Sequence, residues 1–401
     1  MPGATTTKFH HSFTDLGLSS IVAISEEVRR LESEGRSIIK FQRGDLNLVM
    51  PQYVRDAVSA SLARGRTNYP KSGGEPNLIA AVRAYHAEFG IQLENSHIVC
   101  MHGGQEGLQL AFSLFRGKKV LGFSPYWPCL TGNIFPYAES VFQTVDLEET
   151  GSGITFDPNR LEDGLKRADL FYFNSPHNPT GKVFTRDETR LIDELCRKHD
   201  VIVVSDEPYD QILYDGVRHT SMLEFGNERT IAVFSMSKSF AATGLRVGYV
   251  VCRDPFVCDL FSRADYSQTA GVATPLQDAY AVALTDKANR DPWHDSLRAE
   301  LQRRRDILFE ELATAISSLA KPQGAFYFFP DVTHLLPSKV DDSDEYLFHL
   351  FLQNDVAVVP GGTFGKEGHV RISFSATTVD QTRVGARRFA EVVRKSVGSP
   401  V

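Results

Sequence analysis

Apolar residues follow two rhythms along this chain, and their alternation predicts a sheet interleaved with helices. Seven short runs are rich in β-branched and aromatic residues: HIVCM (97–101), KVLGF (119–123), VFQTV (141–145), DLFYF (169–173), VIVVS (201–205), TIAVF (230–234) and RVGYVV (246–251). Between several of them, as in EGLQLAFSLF and RDETRLIDELCRKHD, apolar positions recur every three or four residues, the period of an amphipathic helix. Near-continuous apolar strands alternating with helices predict an α/β fold: a mostly parallel seven-stranded sheet covered by helices on both faces. That large domain spans 50–285. The pattern changes near 286, where the charged stretch TDKANRDPWHDS precedes a long helical pattern, LRAELQRRRDILFEELATAISSL, and a second apolar set, GAFYFFPDV, DVAVVP and HVRISFS. Residues 1–49 have no neighbour in the first sheet pattern. Together with 286–401 they are expected to form a smaller α/β domain built from both termini.

Composition narrows the class. The 401 residues are 42% hydrophobic and 23% charged, a globular balance that carries a sizeable core. The net charge of −7 is spread along the chain, which argues against nucleic acid or an anionic membrane as the main partner. Five cysteines, an odd number with no C-x-x-C pair, read as thiols in a reducing compartment. The first residues lack the apolar core of a signal peptide and no run reaches transmembrane length, so a soluble, cytoplasmic protein is expected.

Open parallel sheets bind ligands beyond the carboxyl ends of their strands, so the residues after each run are the place to look for chemistry. Five strand ends deliver Gly103, Gly104 and Gln105; Trp127; Asn174 with Asn178; Asp206 with Tyr209; and Ser235 with Lys238. Glycines opening a helix leave backbone N–H groups free for a phosphate, although GGQEG alone also fits an ordinary strand-to-helix turn. Asp206 ends a strand buried on both faces and needs a cation or a protonated nitrogen, or else caps the following turn. Trp127 offers a flat ring to a planar ligand, and equally suits the core. Lys238, ringed by Ser235, Ser237 and Ser239, is a lysine driven into a dry site, where a lowered pKa makes a usable amine. Ser235 and Arg246 flank it and suit a dianionic phosphate. An imine-forming amine, a phosphate cradle, a carboxylate for a ring nitrogen, donors for a phenolate and an aromatic plate together describe a pocket for pyridoxal 5′-phosphate.

On those residues the chain resembles the fold-type I pyridoxal-phosphate enzymes of the class I/II aminotransferase family, in its aspartate aminotransferase-like branch. The resemblance covers nearly all of the chain. It rests on the joint order and spacing of NYPKSGG (68–74), GGQEGLQLAF (103–112), SPYW (124–127), NSPHNPTG (174–181), SDEPYDQILY (205–214), SMSKSFAATGLRVGY (235–249), GAFYFFP (324–330) and VRISFS (370–375). It implies that Lys238 forms the Schiff base and shuttles the proton at the substrate Cα. It further implies that Asp206 pairs with the ring nitrogen, that Asn178 and Tyr209 hold the phenolate oxygen, and that Trp127 stacks on the ring. Gly104, Gln105, Ser235 and Arg246 are expected at the phosphate, with Tyr69 reaching the phosphate in a neighbouring subunit of a homodimer with shared sites. Arg371 is expected on the substrate α-carboxylate, helped by Asn174 and the backbone near Gly44. No metal is implied.

The chain departs from the family in RGDLNLVMP (43–51), where Leu46 and Asn47 replace a proline and an aspartate, so an altered side-chain specificity is expected from that segment. Asp45 and Glu106 lie near the expected pocket, as partners for a cationic substrate or as solvated carboxylates. The reading is an aminotransferase acting on an L-amino acid with a keto acid. The alternative is β/γ-elimination, replacement or cyclisation of a functionalised, arginine-like amino acid on the same scaffold.

Overall fold

The computed structural model describes Thr14, Leu16 and residues 20–150 and 153–397. Its strands are β1 (Ile39–Lys40), β2 (Ile98–Met101), β3 (Lys119–Ser124), β4 (Val141–Asp146), β5 (Glu148–Thr150), β6 (Gly153–Thr155), β7 (Leu170–Asn174), β8 (Ile202–Asp206), β9 (Thr230–Ser235), β10 (Gly248–Cys252), β11 (Tyr327–Phe328), β12 (Val356–Ala357), β13 (Val359–Pro360) and β14 (Val370–Ser373). Each of the seven apolar runs becomes a strand of one seven-stranded sheet, in the order β2-β10-β9-β8-β7-β3-β4. All neighbours in it run parallel except β10, which is antiparallel to both β2 and β9.

The runs are apolar throughout because both faces of the sheet are covered. Along β9 and β10, Ala232, Phe234, Tyr249 and Val251 pack under one helical layer, which includes Leu78, Val82 and Tyr280. Their neighbours Ile231, Val233, Val250 and Cys252 pack on the other side with Leu108, Ala111 and Phe112. The helix Gly103–Leu114 seats closely on that second face. A Cβ at Gly107 would lie 3.0 Å from Val233 Cγ1 and Val250 Cγ2, so a larger residue would require those side chains to give way.

The second apolar set forms the three-stranded sheet β11-β14-β13 and the strand β12, which pairs in parallel with β1 from the N-terminal segment. Its core gathers Phe41, Leu301, Leu308, Phe326, Ile372 and Phe389. Residues 41–47 run along β14 and are fastened to it. Ser373 N donates to Phe41 O at 2.8 Å and Asn47 N to Ser375 O at 3.2 Å. Ser375 Oγ donates to Asp45 O at 2.8 Å. From the long helix Lys287–Leu312, the buried Arg304 donates to Asn47 Oδ1 at 2.9 Å and to Ser375 O at 3.0 Å. No helix among the described residues is long and apolar enough to cross a membrane.

Candidate active site

A cavity of about 310 Å³ opens where the carboxyl ends of the large sheet meet residues 43–45, Tyr327 and Arg371. Asn174 and Asp206 end β7 and β8 and are paired partners across the parallel ladder, so their side chains share one face. Asn174 Nδ2 donates to the Asp206 carbonyl at 2.8 Å, and Asn174 Oδ1 accepts from Asn178 N at 2.8 Å. Tyr172, two residues before Asn174, is on that face too, and its hydroxyl donates to Asp206 Oδ2 at 2.8 Å. Burial pushes the Asp206 carboxyl up to about 7; the Tyr172 hydrogen bond opposes the rise, Glu207 adds to it and Lys238 opposes it.

Lys238 arrives by a sharp local turn. Strand β9 ends at Ser235, whose extended backbone (φ −146°, ψ 140°) and side chain cap the single helical turn Met236–Ser239 by accepting from Ser237 N. The turn carries the Lys238 ammonium into the cavity, where Nζ donates to Gly44 O at 2.6 Å. Burial draws its pKa down to about 8, with Asp45 opposing and Arg371 and Arg246 reinforcing. Arg246 stands in the left-handed region at φ 54°, and its Nη1 donates to Thr243 O at 2.8 Å. Its guanidinium lies against Gly103, where an added Cβ would sit 3.0 Å from Nη2. Gly103, at φ 79°, opens the helix whose first-turn N–H groups, at Gly104 and Gln105, have no intrahelical acceptor. A helix start, a guanidinium and the Ser235 hydroxyl thus converge as an anion site.

At the other end Arg371 is 2% exposed. Its Nη1 donates to Asn178 Oδ1 at 3.2 Å and its Nη2 to Gln42 O at 3.0 Å. The guanidinium lies 4.6 Å from the Tyr327 ring centre and 4.9 Å from that of Phe364. Its Nε is buried without a hydrogen-bond partner, and among the described residues no carboxylate pairs with it. Burial lowers its pKa, which marks a charge short of compensation. The chemical fit is a small anion, a carboxylate above all.

Gly44, Gly104, Gln105, Trp127, Asn174, Asn178, Asp206, Tyr209, Ser235, Lys238, Arg246 and Arg371 all line this one cavity. Tyr69 does not, and is 89% exposed. The departures at 46 and 47 sit elsewhere than expected: Leu46 is buried in the C-terminal core and Asn47 engages Arg304, while Arg43, Gly44 and Asp45 face the cavity. Glu106 turns away and accepts from His102 N and Nδ1, at 2.6 and 3.1 Å. Asp45 accepts from Thr243 Oγ1 at 2.7 Å. Sequence reasoning missed Tyr172, Tyr327, Arg43 and Thr243. Only Tyr172 carried a local signal, its period-two spacing from Asn174.

The sequence pattern described as aminotransferase class I and II matches residues 36–389. The chain belongs to that family. The aspartate/prephenate aminotransferase of Thermus thermophilus is 30% identical over 94% of this chain and 97% of its own length. The aspartate aminotransferase of Bacillus subtilis is 27% identical over 94% and 96%. In three dimensions the Thermus thermophilus aspartate aminotransferase solved with maleate superposes with a TM-score of 0.89 at 30% identity, covering 96% of this chain and 99% of that one. An aromatic aminotransferase from Pyrococcus horikoshii gives 0.83 at 27% identity, over 93% and 99%. This aminotransferase is therefore a transferase that uses pyridoxal 5′-phosphate, and the elimination or cyclisation alternative is not favoured by these relatives. The donor set suits the cofactor: an amine of lowered basicity, a carboxylate with one oxygen left open, and an anion site at a helix start.

Proposed function

We propose that this aminotransferase moves the amino group of an L-amino acid to a keto acid in the cavity around Lys238. Pyridoxal phosphate, when bound, supplies an electrophilic carbonyl carbon and a ring that withdraws electrons from the substrate Cα. The protein's side chains do the rest. Lys238 Nζ would hold the cofactor's carbonyl carbon and would move the proton at Cα, and a pKa drawn down to about 8 suits an amine that must give and take a proton near neutrality. Gly104 N, Gln105 N, Ser235 and Arg246 would hold the phosphate. Asn178 and Tyr209 are assigned to the phenolate oxygen, Trp127 to the ring face and Asp206 to the ring nitrogen. Arg371, with Asn174 and the Gly44 backbone, orients the α-carboxylate so that the Cα–H bond stands correctly for Lys238.

The observation that carries the reading is the buried Arg371 guanidinium, lacking an acidic partner, across one cavity from the amine. A single half-reaction tests it: the loaded enzyme is mixed with single L-amino acids, with no keto acid present. Amino transfer to the cofactor with stoichiometric keto acid release is expected. Release of a leaving group or a cyclised product, with the cofactor unchanged, would replace transamination.

We also propose a homodimer in which Tyr69 serves the partner's site; its 89% exposure outside its own cavity supports this. A cytoplasmic location is supported by five cysteines with no disulfide. The two domains are assigned to 50–285 and to 1–49 with 286–401, supported by the pairing of β1 with β12.

A further inference from the structure

Asp206 divides its carboxylate oxygens between the protein and the cavity. Oδ2 accepts from the Tyr172 hydroxyl at 2.8 Å and lies 3.5 Å from Asn174 Nδ2. Among the described residues Oδ1 accepts no hydrogen bond, which leaves it as the oxygen open to the cavity that Asp206 lines. The strand that carries Tyr172 reads Leu170-Phe171-Tyr172-Phe173-Asn174 and is buried throughout. Phenylalanine fills the positions on either side, so packing alone asks for no hydroxyl between them. A buried hydroxyl is costly unless it finds an acceptor, and here the acceptor is the carboxylate of the site. The phenol also stays a donor, because burial and the adjoining Asp206 charge raise its pKa far above the working range.

We propose that Tyr172 is a positioning residue for the reaction: by holding Oδ2 it presents Oδ1 to the cofactor's ring nitrogen and keeps that carboxylate ionised. The proposal rests on the assignment of Asp206 to the ring nitrogen. Two consequences follow from the geometry. The hydrogen bond fixes the rotation of the Asp206 carboxylate, which otherwise has only the long contact to Asn174 at that oxygen. It is also the largest influence opposing the desolvation that would leave the acid neutral. A neutral acid cannot hold a protonated ring nitrogen by charge.

The test compares wild type, Tyr172→Phe and Asp206→Asn, together with an isosteric protein carrying 2,3-difluorotyrosine at 172, whose phenol is a stronger donor. In the apoproteins, infrared difference spectra follow with pH the carboxyl band that Asp206→Asn abolishes. Its midpoint is expected to rise by about one unit in Tyr172→Phe, the equivalent of one hydrogen bond to a charged group, and to fall with the fluorinated residue. In the loaded enzymes the acid limb of the pH–rate profile should move in the same two directions. Here kcat falls about tenfold in Tyr172→Phe, while KM for the amino acid, governed by Arg371, stays within about twofold. A midpoint unmoved in both substituted proteins overturns the role, as does a midpoint that moves without the rate profile. Asp206→Asn with unaltered cofactor affinity and activity overturns the Asp206 assignment itself, and the proposal with it. The fluorinated protein keeps the test decisive if Tyr172→Phe folds poorly.

Discussion

The two walls of the cavity are built in opposite ways. One comes from consecutive strand ends of a single sheet: Asn174, Asp206 and Ser235 each close a strand, and neighbouring strands hold one another in register. The other is assembled from segments far apart in sequence: Tyr327 meets Arg371 because β11 pairs with β14, and Gly44 joins them because residues 41–47 lie along β14. The first wall carries the groups assigned to the cofactor, whose shape does not vary, together with Asn174, assigned to the substrate. The second carries most of the groups assigned above to the substrate. A rigid ladder serves the constant ligand, and a wall of loops and short strands leaves room for specificity to change.

If the sheet wall carries the chemistry, its loss should be the most severe. Lys238→Ala is expected to lower kcat by at least about 10³-fold, since proton transfer alone contributes roughly 10²–10⁴, with the thermal transition retained. Borohydride reduction of wild type followed by peptide mapping should find the pyridoxyl group on Lys238; a label on another lysine would move the centre of the site. Damage to the second wall should be milder and of another kind. Arg371→Lys is expected to cost about 3 kcal/mol, or roughly 10²-fold in kcat/KM, with cofactor content unchanged, because a lysine cannot reproduce the planar fork. Equal loss of cofactor would erase the contrast between the walls.

Two smaller effects sharpen the picture at its margins. Tyr69→Ala should weaken cofactor binding about tenfold, the scale of one hydrogen bond to a charged group. Mixed with Lys238→Ala subunits it should regain activity, because one site of the hybrid is then whole. Mixtures no more active at limiting cofactor than the Tyr69→Ala parent would show that sites are not shared. The smallest effect is one of stability. His102 stands between Asp265 and Glu106, which raise its pKa to about 9 against an ordinary 6.5. Its folded-state pKa being raised, the stabilisation is complete below about 6.5 and disappears as pH climbs through about 9. The melting temperature of wild type should therefore fall across that interval more than that of His102→Gln.

The same contrast explains what the sequence allowed to be read. The first wall was legible because the apolar runs mark the strands and each functional residue follows one directly, as Asp206 follows VIVVS and Lys238 follows TIAVF. Tyr172 escaped notice because it sits inside a run, where an aromatic residue reads as packing. The second wall was legible for Arg371 and Gly44 through the resemblance, and for Asp45 as a carboxylate near the expected pocket. The placement of Arg43, the burial of Leu46 and the engagement of the exposed Asn47 by Arg304 depend on contacts with Arg304 and Ser375 across more than half the chain. No local period records such contacts. Glu106 failed as a substrate partner for a nearer reason: His102, four residues before it, occupies its carboxylate.

The fastening of residues 41–47 to β14 makes a single lever of two jobs. Arg371 lies on β14 and grips Gln42 O, and two residues further on Gly44 O receives the Lys238 ammonium. The strip has little slack: Ser375 pins it at Asp45, and Arg304 clamps its far end at Asn47. One short strip of chain thus supplies a carbonyl to each of the two cationic groups of the cavity, so a change in its path reaches both ends of the site at once.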